Sequence, residues 1–207
     1  MEPEKYRIKK QLVSTVKERC RVCYTCVREC PAKAIKISNG QAEVIPERCI
    51  GCGNCIKVCS QNAKIFRKET DIVSMITGGG YRCAAIVAPS FPAEFSEIKN
   101  HRLLVSLIRS LGFTYVSEVA FGADLVSEEY KKLLKAGNYP PVISSDCPAI
   151  VSYIEHYHPD LVDSLAHVVS PMVAMSKVMR KRYGDDLKVV FIGPCIAKKD
   201  ESAEIDA

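Results

Sequence analysis

The sequence lacks any apolar run long enough to cross a lipid bilayer. A membrane-spanning helix needs roughly 18 or more consecutive apolar residues, and no segment of this chain of 207 residues has them. The first five residues, MEPEK, do not resemble the apolar core of a secretory signal peptide. Long low-complexity tracts are also missing, and a hydrophobic fraction of 47% excludes a disordered chain. We therefore expect a folded cytoplasmic protein with no membrane partner.

Cysteine, in contrast, is abundant, and eight of the eleven cysteines follow one spacing, C-x2-C-x2-C-x3-C, that occurs twice. The first run is Cys20, Cys23, Cys26 and Cys30, and the second is Cys49, Cys52, Cys55 and Cys59. This spacing is typical of bacterial ferredoxins that hold two [4Fe–4S] clusters, in which the fourth cysteine of each run ligates the other cluster. We therefore expect one cluster on Cys20, Cys23, Cys26 and Cys59, and the other on Cys49, Cys52, Cys55 and Cys30.

Two other uses of these cysteines fit less well. Zinc sites usually show one or two C-x2-C pairs rather than a repeated run of four. A disulfide framework needs an oxidising compartment, which the missing signal peptide does not suggest. Ligation of iron–sulfur clusters is the favoured interpretation.

Charge is unevenly distributed along the chain. Residues 1–70 contain 15 Lys or Arg against 7 Asp or Glu, a net +8, and the remainder contains 14 against 17, a net −3. Each oxidised cluster with its four thiolates carries a charge of about −2, which offsets part of the basic excess. The basic residues are scattered and no nucleic-acid-binding motif accompanies them, so we expect no nucleic-acid partner.

Residues 1–70 form an internal repeat. The run that begins at Cys20, with Ala34 and Ile35 after it, recurs 29 positions later and is followed by Ala63, Lys64 and Ile65. A turn at Gly40 and a strand over 41–45 are predicted within it. The sequence indicates a small α+β ferredoxin domain in which the clusters supply much of the core. Residues 71–81, which include three consecutive glycines, are predicted to be a linker.

Strand and helix patterns alternate from residue 82 to residue 207. The strands are predicted over 84–87, 115–119, 142–144 and 187–192, and the helices over 101–111, 124–136, 149–157 and 171–182. In the second helix of this prediction, Asp124 caps the first turn. Such alternation is typical of an α/β lobe with a parallel sheet.

A second group of residues follows the predicted strands of this lobe. Sites in open α/β sheets form at the carboxyl ends of the strands, where the sequence has Cys147 and Cys195. A single free cysteine is often simply a small buried hydrophobe. These two each lie beside a proline, however, and Asp146 and Lys198 are close to them in sequence, so together they indicate a site. Cys83 precedes its strand, and we interpret it as structural.

Several local motifs carry a family resemblance. They are Ala88-Pro89, Leu111-Gly112-Phe113, Phe121-Gly122-Ala123-Asp124-Leu125, Ser145-Asp146-Cys147-Pro148, His156-Tyr157-His158-Pro159-Asp160-Leu161, Ser170-Pro171, and Pro194-Cys195 with Lys198-Lys199. With the two cysteine runs, they make nearly the whole chain similar to [FeFe] hydrogenases, over the dicluster ferredoxin domain and the first lobe of the catalytic domain. The resemblance implies that Cys147 and Cys195 ligate the cubane of the H-cluster and that Lys198 hydrogen-bonds a cyanide of the di-iron unit. It also implies that the backbone at Ala88 and Pro89 lines that pocket.

The departures from this family pattern indicate a sensory or regulatory member. Asp146 replaces a proton-relaying cysteine, and its unperturbed pKa near 4 is far from the value near 8.5 of a thiol. Gly193 stands where the family has methionine, and Ile150 where it has an aromatic residue. The resemblance implies two further H-cluster cysteines, and the sequence has none after Cys195. We therefore expect a truncated protein or a fragment, with an incomplete H-cluster site and no hydrogenase activity of its own.

The sequence thus predicts an iron–sulfur protein that relays electrons through two [4Fe–4S] clusters to or from a hydrogenase-like site, with a ferredoxin or a reductase as partner. Three alternatives stay open. They are a redox-sensing or hydrogen-sensing regulatory module, a fragment of a ferredoxin hydrogenase completed by a missing C-terminal segment, and a scaffold for iron–sulfur cluster assembly.

Overall fold

The computed structural model describes residues 11–98, 100–137 and 142–205, and these divide into two units. The first unit contains the described residues up to 67 together with 147–162 and those from 195 onward. The second contains 68–146 and 163–194. The first five residues and Ala207, on which part of the sequence interpretation rests, lie outside the described ranges.

The secondary structure consists of short strands and helices. In the described residues the strands are β1 (Val13–Thr15), β2 (Ile35–Ser38), β3 (Gln41–Val44), β4 (Lys64–Phe66), β5 (Cys83–Val87), β6 (Tyr115–Glu118) and β7 (Lys188–Ile192). The α-helices are α1 (Thr25–Arg28), α2 (Asn54–Lys57), α3 (Thr70–Gly78), α4 (Phe91–Glu94), α5 (His101–Ser110), α6 (Ala120–Lys135), α7 (Pro148–Tyr157), α8 (Pro171–Tyr183) and α9 (Lys198–Ile205). Short 3-10 helices cover Lys17–Arg19, Pro46–Arg48 and Pro159–Ser164. No helix in this described part of the chain has the length and apolarity that a membrane crossing requires.

Two antiparallel strand pairs frame the first unit. Strand β1 pairs with β4, and β2 pairs with β3. The β2–β3 hairpin turns at Asn39 and Gly40, whose φ angles of +49° and +68° suit the two-residue turn that an Asn-Gly sequence favours. Buried apolar residues from both pairs, including Val13 and Ile35, pack in one core with Cys26, Cys30 and residues of the 147–162 and 195–205 segments. The two cysteine runs thereby become part of the hydrophobic core.

A parallel sheet of three strands, in the order β6-β5-β7, forms the centre of the second unit. All five residues of β5 are buried, as expected for a central parallel strand covered on both faces. Helix α5 covers one face with Leu104 and Ile108. Its first turn is capped by Asn100, whose side chain accepts a hydrogen bond from the backbone of Arg102 at 3.0 Å. The fold class predicted from the sequence, a ferredoxin-type α+β domain followed by a partial α/β lobe, is confirmed.

Three predicted elements differ in the structure. Most of the predicted linker is helix α3, which forms because Val73 and Ile76 pack on the core of the second unit. The predicted strand over 142–144 is outside the sheet, and Ile143 makes one parallel bridge to Leu165. Helix α6 begins at Ala120, so Asp124 lies inside the helix instead of capping it.

The units also depart from the predicted boundary at residue 82. The segments that follow Cys147 and Cys195 join the ferredoxin-type unit rather than the lobe that contains the sheet. The reason is apolar packing, since Ala149 and Ala197 are both buried in the core of the first unit.

Candidate metal centre

Four thiols from both cysteine runs line one open pocket of the first unit. The pocket encloses about 360 Å³ of empty space, part of it solvent, and its cysteines are Cys20, Cys23, Cys26 and Cys59. Cys20 ends the first 3-10 helix and Cys26 lies within α1, whereas Cys59 comes from the second run, two residues after α2. The set contains three thiols of one run and the last thiol of the other.

The remaining four thiols form the complementary set. Burial raises the pKa of the Cys49 thiol, and the charges of Cys52 and Cys30 raise it further, while a hydrogen bond from the Gly51 backbone opposes them. Burial likewise raises the pKa of Cys55 to about 12, and Cys49, Cys52 and Cys30 add to the effect. Cys30 therefore acts electrostatically on the thiols of the second run, as Cys59 does on Cys26 of the first.

Left-handed backbone shapes each cysteine run at equivalent positions. In the first run Val22 and Tyr24 have φ angles of +52° and +63°, and in the second Gly51 and Gly53 have +68° and +77°. Glycine adopts this conformation without strain, whereas a β-branched valine rarely does. The two halves of the repeat therefore have the same backbone course, and the first half keeps it at a cost in strain.

Backbone N–H groups point at the fourth thiol of each run. The Ala34 N–H donates to Cys30 Sγ at 3.2 Å, and the Ala63 N–H donates to Cys59 Sγ at 3.3 Å. Hydrogen bonds to the ligand sulfurs are one of the features by which a protein adjusts the potential of an iron–sulfur cluster. The same environment is therefore built at the two cysteines that cross between the sets.

Cys23 is the exposed thiol of the first set, and Thr25 polarises it. Its Sγ lies 3.4 Å from the Thr25 hydroxyl. Hydrogen bonding by the side chain and then by the backbone of Thr25 lowers the pKa of the Cys23 thiol. At the matching position of the second run, the Asn54 side chain instead donates to the Glu29 carbonyl at 2.6 Å.

The donor sets fit iron–sulfur clusters. Within the described ranges, no three His, Cys, Asp or Glu side chains are placed to hold one metal ion. A cubane binds its four thiolates at four separate irons, so its ligands surround a pocket rather than meet at a point. Each set consists of thiols alone, the ligand type that such clusters use.

The residues predicted to form the second site divide between the two units. Cys147, Cys195 and Lys198 belong to the first unit, while Asp146, Ala88 and Pro89 belong to the second. Cys147 and Cys195 are both exposed thiols, so neither is the buried small hydrophobe that a lone cysteine often is.

Lys198 begins helix α9 and forms an ion pair with a residue of its own helix. Its Nζ lies 2.7 Å from Glu201 Oε2, and both side chains are largely buried. The family resemblance implies that Lys198 hydrogen-bonds a cyanide of the di-iron unit. In this structure its ammonium would have to make that bond while it stays paired with Glu201.

In the second unit, Asp146 Oδ2 accepts a hydrogen bond from the Ser144 hydroxyl at 3.0 Å. Ala88 is buried, and it lies directly against Gly193. A Cβ added at Gly193 would stand 3.0 Å from Ala88 Cβ and 2.5 Å from the Phe191 ring. The glycine in place of methionine is therefore matched to the packing of its neighbours.

The sequence interpretation missed two residues of this centre, Lys64 and Tyr157. Lys64 is only 4% exposed although it is a lysine, and it lines the pocket of the first set. A comparison of the two halves of the repeat could have found it, because Lys64 occupies the position of the buried Ile35. Tyr157 donates hydrogen bonds to backbone carbonyls beside Cys30 and Cys49, and no sequence signal indicated this.

Comparisons with known proteins agree with this architecture. A family model described as iron only hydrogenase large subunit, C-terminal domain, matches residues 81–207, and one described as 4Fe-4S dicluster domain matches residues 12–60. The periplasmic [Fe] hydrogenase large subunit of Nitratidesulfovibrio vulgaris is 30% identical over 209 aligned residues, covering 88% of this chain and 49% of that protein. Iron hydrogenase 1 of Clostridium pasteurianum is 32% identical, covering 56% of this chain and 23% of that protein.

One further relative has a name of another kind, and one further match is a solved hydrogenase structure. The cytosolic Fe-S cluster assembly factor NAR1 of Yarrowia lipolytica is 28% identical, covering 55% of this chain and 25% of that protein. Among solved structures, an apo variant of [FeFe]-hydrogenase HydA1 from Chlamydomonas reinhardtii aligns with a TM-score of 0.47 at 25% identity, covering 65% of this chain and 37% of that one. The chain spans at most about half the length of the curated relatives described here.

Fold and cysteine sets together define an iron–sulfur protein that joins a ferredoxin-type dicluster domain to part of a hydrogenase domain. The family model covers more than half of the chain. The chain therefore belongs to the iron-only, or [FeFe], hydrogenase family.

Proposed function

We propose that this chain relays single electrons through two [4Fe–4S] clusters. One cluster is held by Cys20, Cys23, Cys26 and Cys59, and the other by Cys49, Cys52, Cys55 and Cys30. The observation that carries the proposal is the crossed arrangement of the thiols, in which each set takes its fourth member from the other run. Crossed ligation is the arrangement of two-cluster ferredoxins, whose clusters transfer electrons.

The second cluster is the one that leads toward Cys147 and Cys195. A Cβ on Gly51, next to Cys52, would lie 3.1 Å from Ala197 Cα, and one on Gly53 would lie 3.0 Å from Ile196 Cδ1. The segment that follows Cys195 therefore packs directly on the run that supplies three ligands of this cluster. Electrons would pass between the first cluster, the second cluster and a hydrogenase-like site that includes Cys147 and Cys195.

The chain acts in the cytoplasm in this proposal, and its external partner is a ferredoxin or a reductase. All eleven cysteines are free thiols in the structure, as iron ligation requires. The names of the relatives point to two compartments, since one is called periplasmic and another cytosolic. Fractionation of cells that express the full-length gene product would decide between them.

The test is anaerobic reconstitution followed by iron and sulfide analysis and EPR spectroscopy of the reduced protein. We expect about eight iron and eight sulfide per chain, from two clusters of four irons each, with EPR signals from both clusters. A matched control is Cys83→Ser, since Cys83 is buried in β5 of the other unit and belongs to neither set. Loading of only four irons by the wild-type chain would refute the proposal. A loss of iron in Cys83→Ser as large as that in Cys30→Ser or Cys59→Ser would refute it as well.

A second function is favoured by the relatives that are named cluster assembly factors. In that case the chain would hold its clusters only transiently and pass them to another protein. Incubation of the loaded chain with an apo-ferredoxin separates the two functions. Full retention of iron in the presence of the apo-ferredoxin, with electron transfer to cluster-loaded ferredoxin in a separate sample, supports the relay. Loss of iron to the apo-ferredoxin supports assembly.

A further inference from the structure

The internal repeat of the first unit is broken at one buried position. Ile35 begins β2 in the first half, and Lys64, 29 residues later, begins β4 in the second. Both side chains are buried, with 6% and 4% of their surface exposed. One half of the repeat therefore has an apolar side chain where the other has a cation.

Uncharged groups hold the Lys64 ammonium in place. Its Nζ donates to Thr15 Oγ1 at 2.6 Å and to the Ala42 carbonyl at 2.7 Å. These two acceptors satisfy hydrogen bonds but supply no negative charge. A buried ammonium without a counter-charge is strongly unfavourable, so the position requires negative charge from nearby.

Both cysteine sets supply this negative charge when their thiolates hold clusters. Lys64 lines the pocket of the first set. Strand β4, which begins at Lys64, also contacts helix α2, which carries Cys55 of the second set. A single buried cation therefore acts on both places where the clusters carry their negative charge.

We propose that Lys64 is the internal counter-charge of both clusters and raises the reduction potential of each. The inference rests on the proposed binding of two clusters. Reduction adds one negative charge to a cluster, and a nearby buried cation stabilises the reduced form more than the oxidised form. Lys64 thus determines which electron donors can reduce the relay, and it acts on the two potentials together.

The test is an EPR-monitored redox titration of the reconstituted protein and of Lys64→Gln, which keeps hydrogen-bond donors for Thr15 and Ala42 but removes the charge. We expect the ratio of reduced to oxidised cluster at a given ambient potential to fall about tenfold for both clusters, equal to a shift of about 59 mV for a one-electron couple. Lys64→Met removes the donors as well and should shift both potentials in the same direction. EPR reports only molecules that hold a cluster, so partial loading of a variant does not hide the shift.

The matched control is Lys36→Met, which removes the same formal charge from the exposed residue next to Ile35. Because solvent screens an exposed charge, its shift should be less than half of that in Lys64→Gln. Unchanged potentials in Lys64→Gln, a shift of one cluster alone, or an equal shift in the control would overturn the inference. Failure of the wild-type chain to bind two clusters would instead refute the proposed function, and iron and sulfide analysis identifies that case.

Discussion

The Tyr157 hydroxyl donates a hydrogen bond of 2.6 Å to the Ala32 carbonyl, which lies 125 residues earlier in the chain. It also reaches the Arg48 carbonyl at 3.3 Å. Ala32 follows Cys30 by two residues and Arg48 directly precedes Cys49, so the hydroxyl contacts the backbone beside two thiols of the second set. Helix α7, which begins next to Cys147, is therefore hydrogen-bonded at its other end to the backbone beside that set.

We predict that Tyr157→Phe lowers the free energy of unfolding of the reconstituted protein by about 1 kcal/mol, because a buried backbone carbonyl loses its donor. Anaerobic urea denaturation followed by circular dichroism measures it. The control is Tyr153→Phe on the same helix, whose hydroxyl makes no hydrogen bond in the described structure. Equal destabilisation by the two variants would show that the Tyr157 hydroxyl contributes nothing specific.

The left-handed residues of the cysteine runs give a second prediction. Val22 has a φ of +52° in a position where the second run has Gly51. Left-handed backbone costs a non-glycine residue roughly 1–3 kcal/mol, while added glycine costs up to about 1 kcal/mol through the unfolded chain. We expect Val22→Gly to stabilise the reconstituted protein by about 1 kcal/mol in urea denaturation.

The reciprocal change, Gly51→Val, should destabilise the protein by more than about 2 kcal/mol. Besides the strained φ of +68°, its Cβ would stand 2.8 Å from Leu12 Cδ1 and 3.1 Å from Ala197 Cα. A stabilising Gly51→Val, or a Val22→Gly that destabilises, would contradict the equivalence of the two positions.

The sequence predicted the elements that depend on local patterns. The apolar run of β5 predicted a strand over 84–87, and the structure extends it by only Cys83. Helices α7 and α8 begin at Pro148 and Pro171, where proline favours the first helical position. Local chemistry of this kind is visible in a single sequence.

Features that depend on tertiary packing were not predicted. Nothing local indicates that Ala149 and Ala197 are buried in the ferredoxin-type unit rather than with the sheet. The burial of Lys64 could not be predicted from the sequence either, because a lysine is expected at the surface unless a counter-charge allows its burial. At 142–144 the apolar pattern predicted a strand, but its backbone pairs with residues 164–166 outside the sheet.

Crossed ligation gives a third prediction, which concerns single cysteine variants. Cys30→Ser should alter the EPR signal of the cluster held by Cys49, Cys52 and Cys55, and Cys59→Ser should alter that of the other cluster. The physical reason is that each fourth thiol lies close enough to the other run to affect its thiols. The charge of Cys59 raises the pKa of Cys26, and the charge of Cys30 raises the pKa of Cys49. EPR of the reduced variants at two potentials resolves the clusters. If Cys30→Ser changed only the cluster of its own run, the crossed assignment would be wrong.

The last prediction concerns the pH dependence of the stability of the cluster-free chain. Burial raises the pKa of the thiols of Cys26, Cys49 and Cys55, in the last case to about 12. In the unfolded chain these thiols titrate near their ordinary pKa, about 8.5. The unfolded state therefore loses protons first as the pH rises, and folding stability is full below about pH 8.5 and declines between there and about pH 12. In the loaded protein the thiolates bind iron and do not titrate, so this decline should be absent.

The measurement is the free energy of unfolding at pH 8, 9 and 10, for the chain after removal of iron by a chelator and for the loaded chain, both under reducing anaerobic conditions. Cys55→Ala should make the cluster-free profile flatter, because it removes the thiol whose pKa burial raises to about 12. The matched control is Cys83→Ala, which removes a buried thiol of the other unit. A cluster-free chain that gains stability from pH 8 to pH 10 would contradict the sign of the shifts. An equal decline in the loaded chain would show that groups other than the ligand thiols cause it.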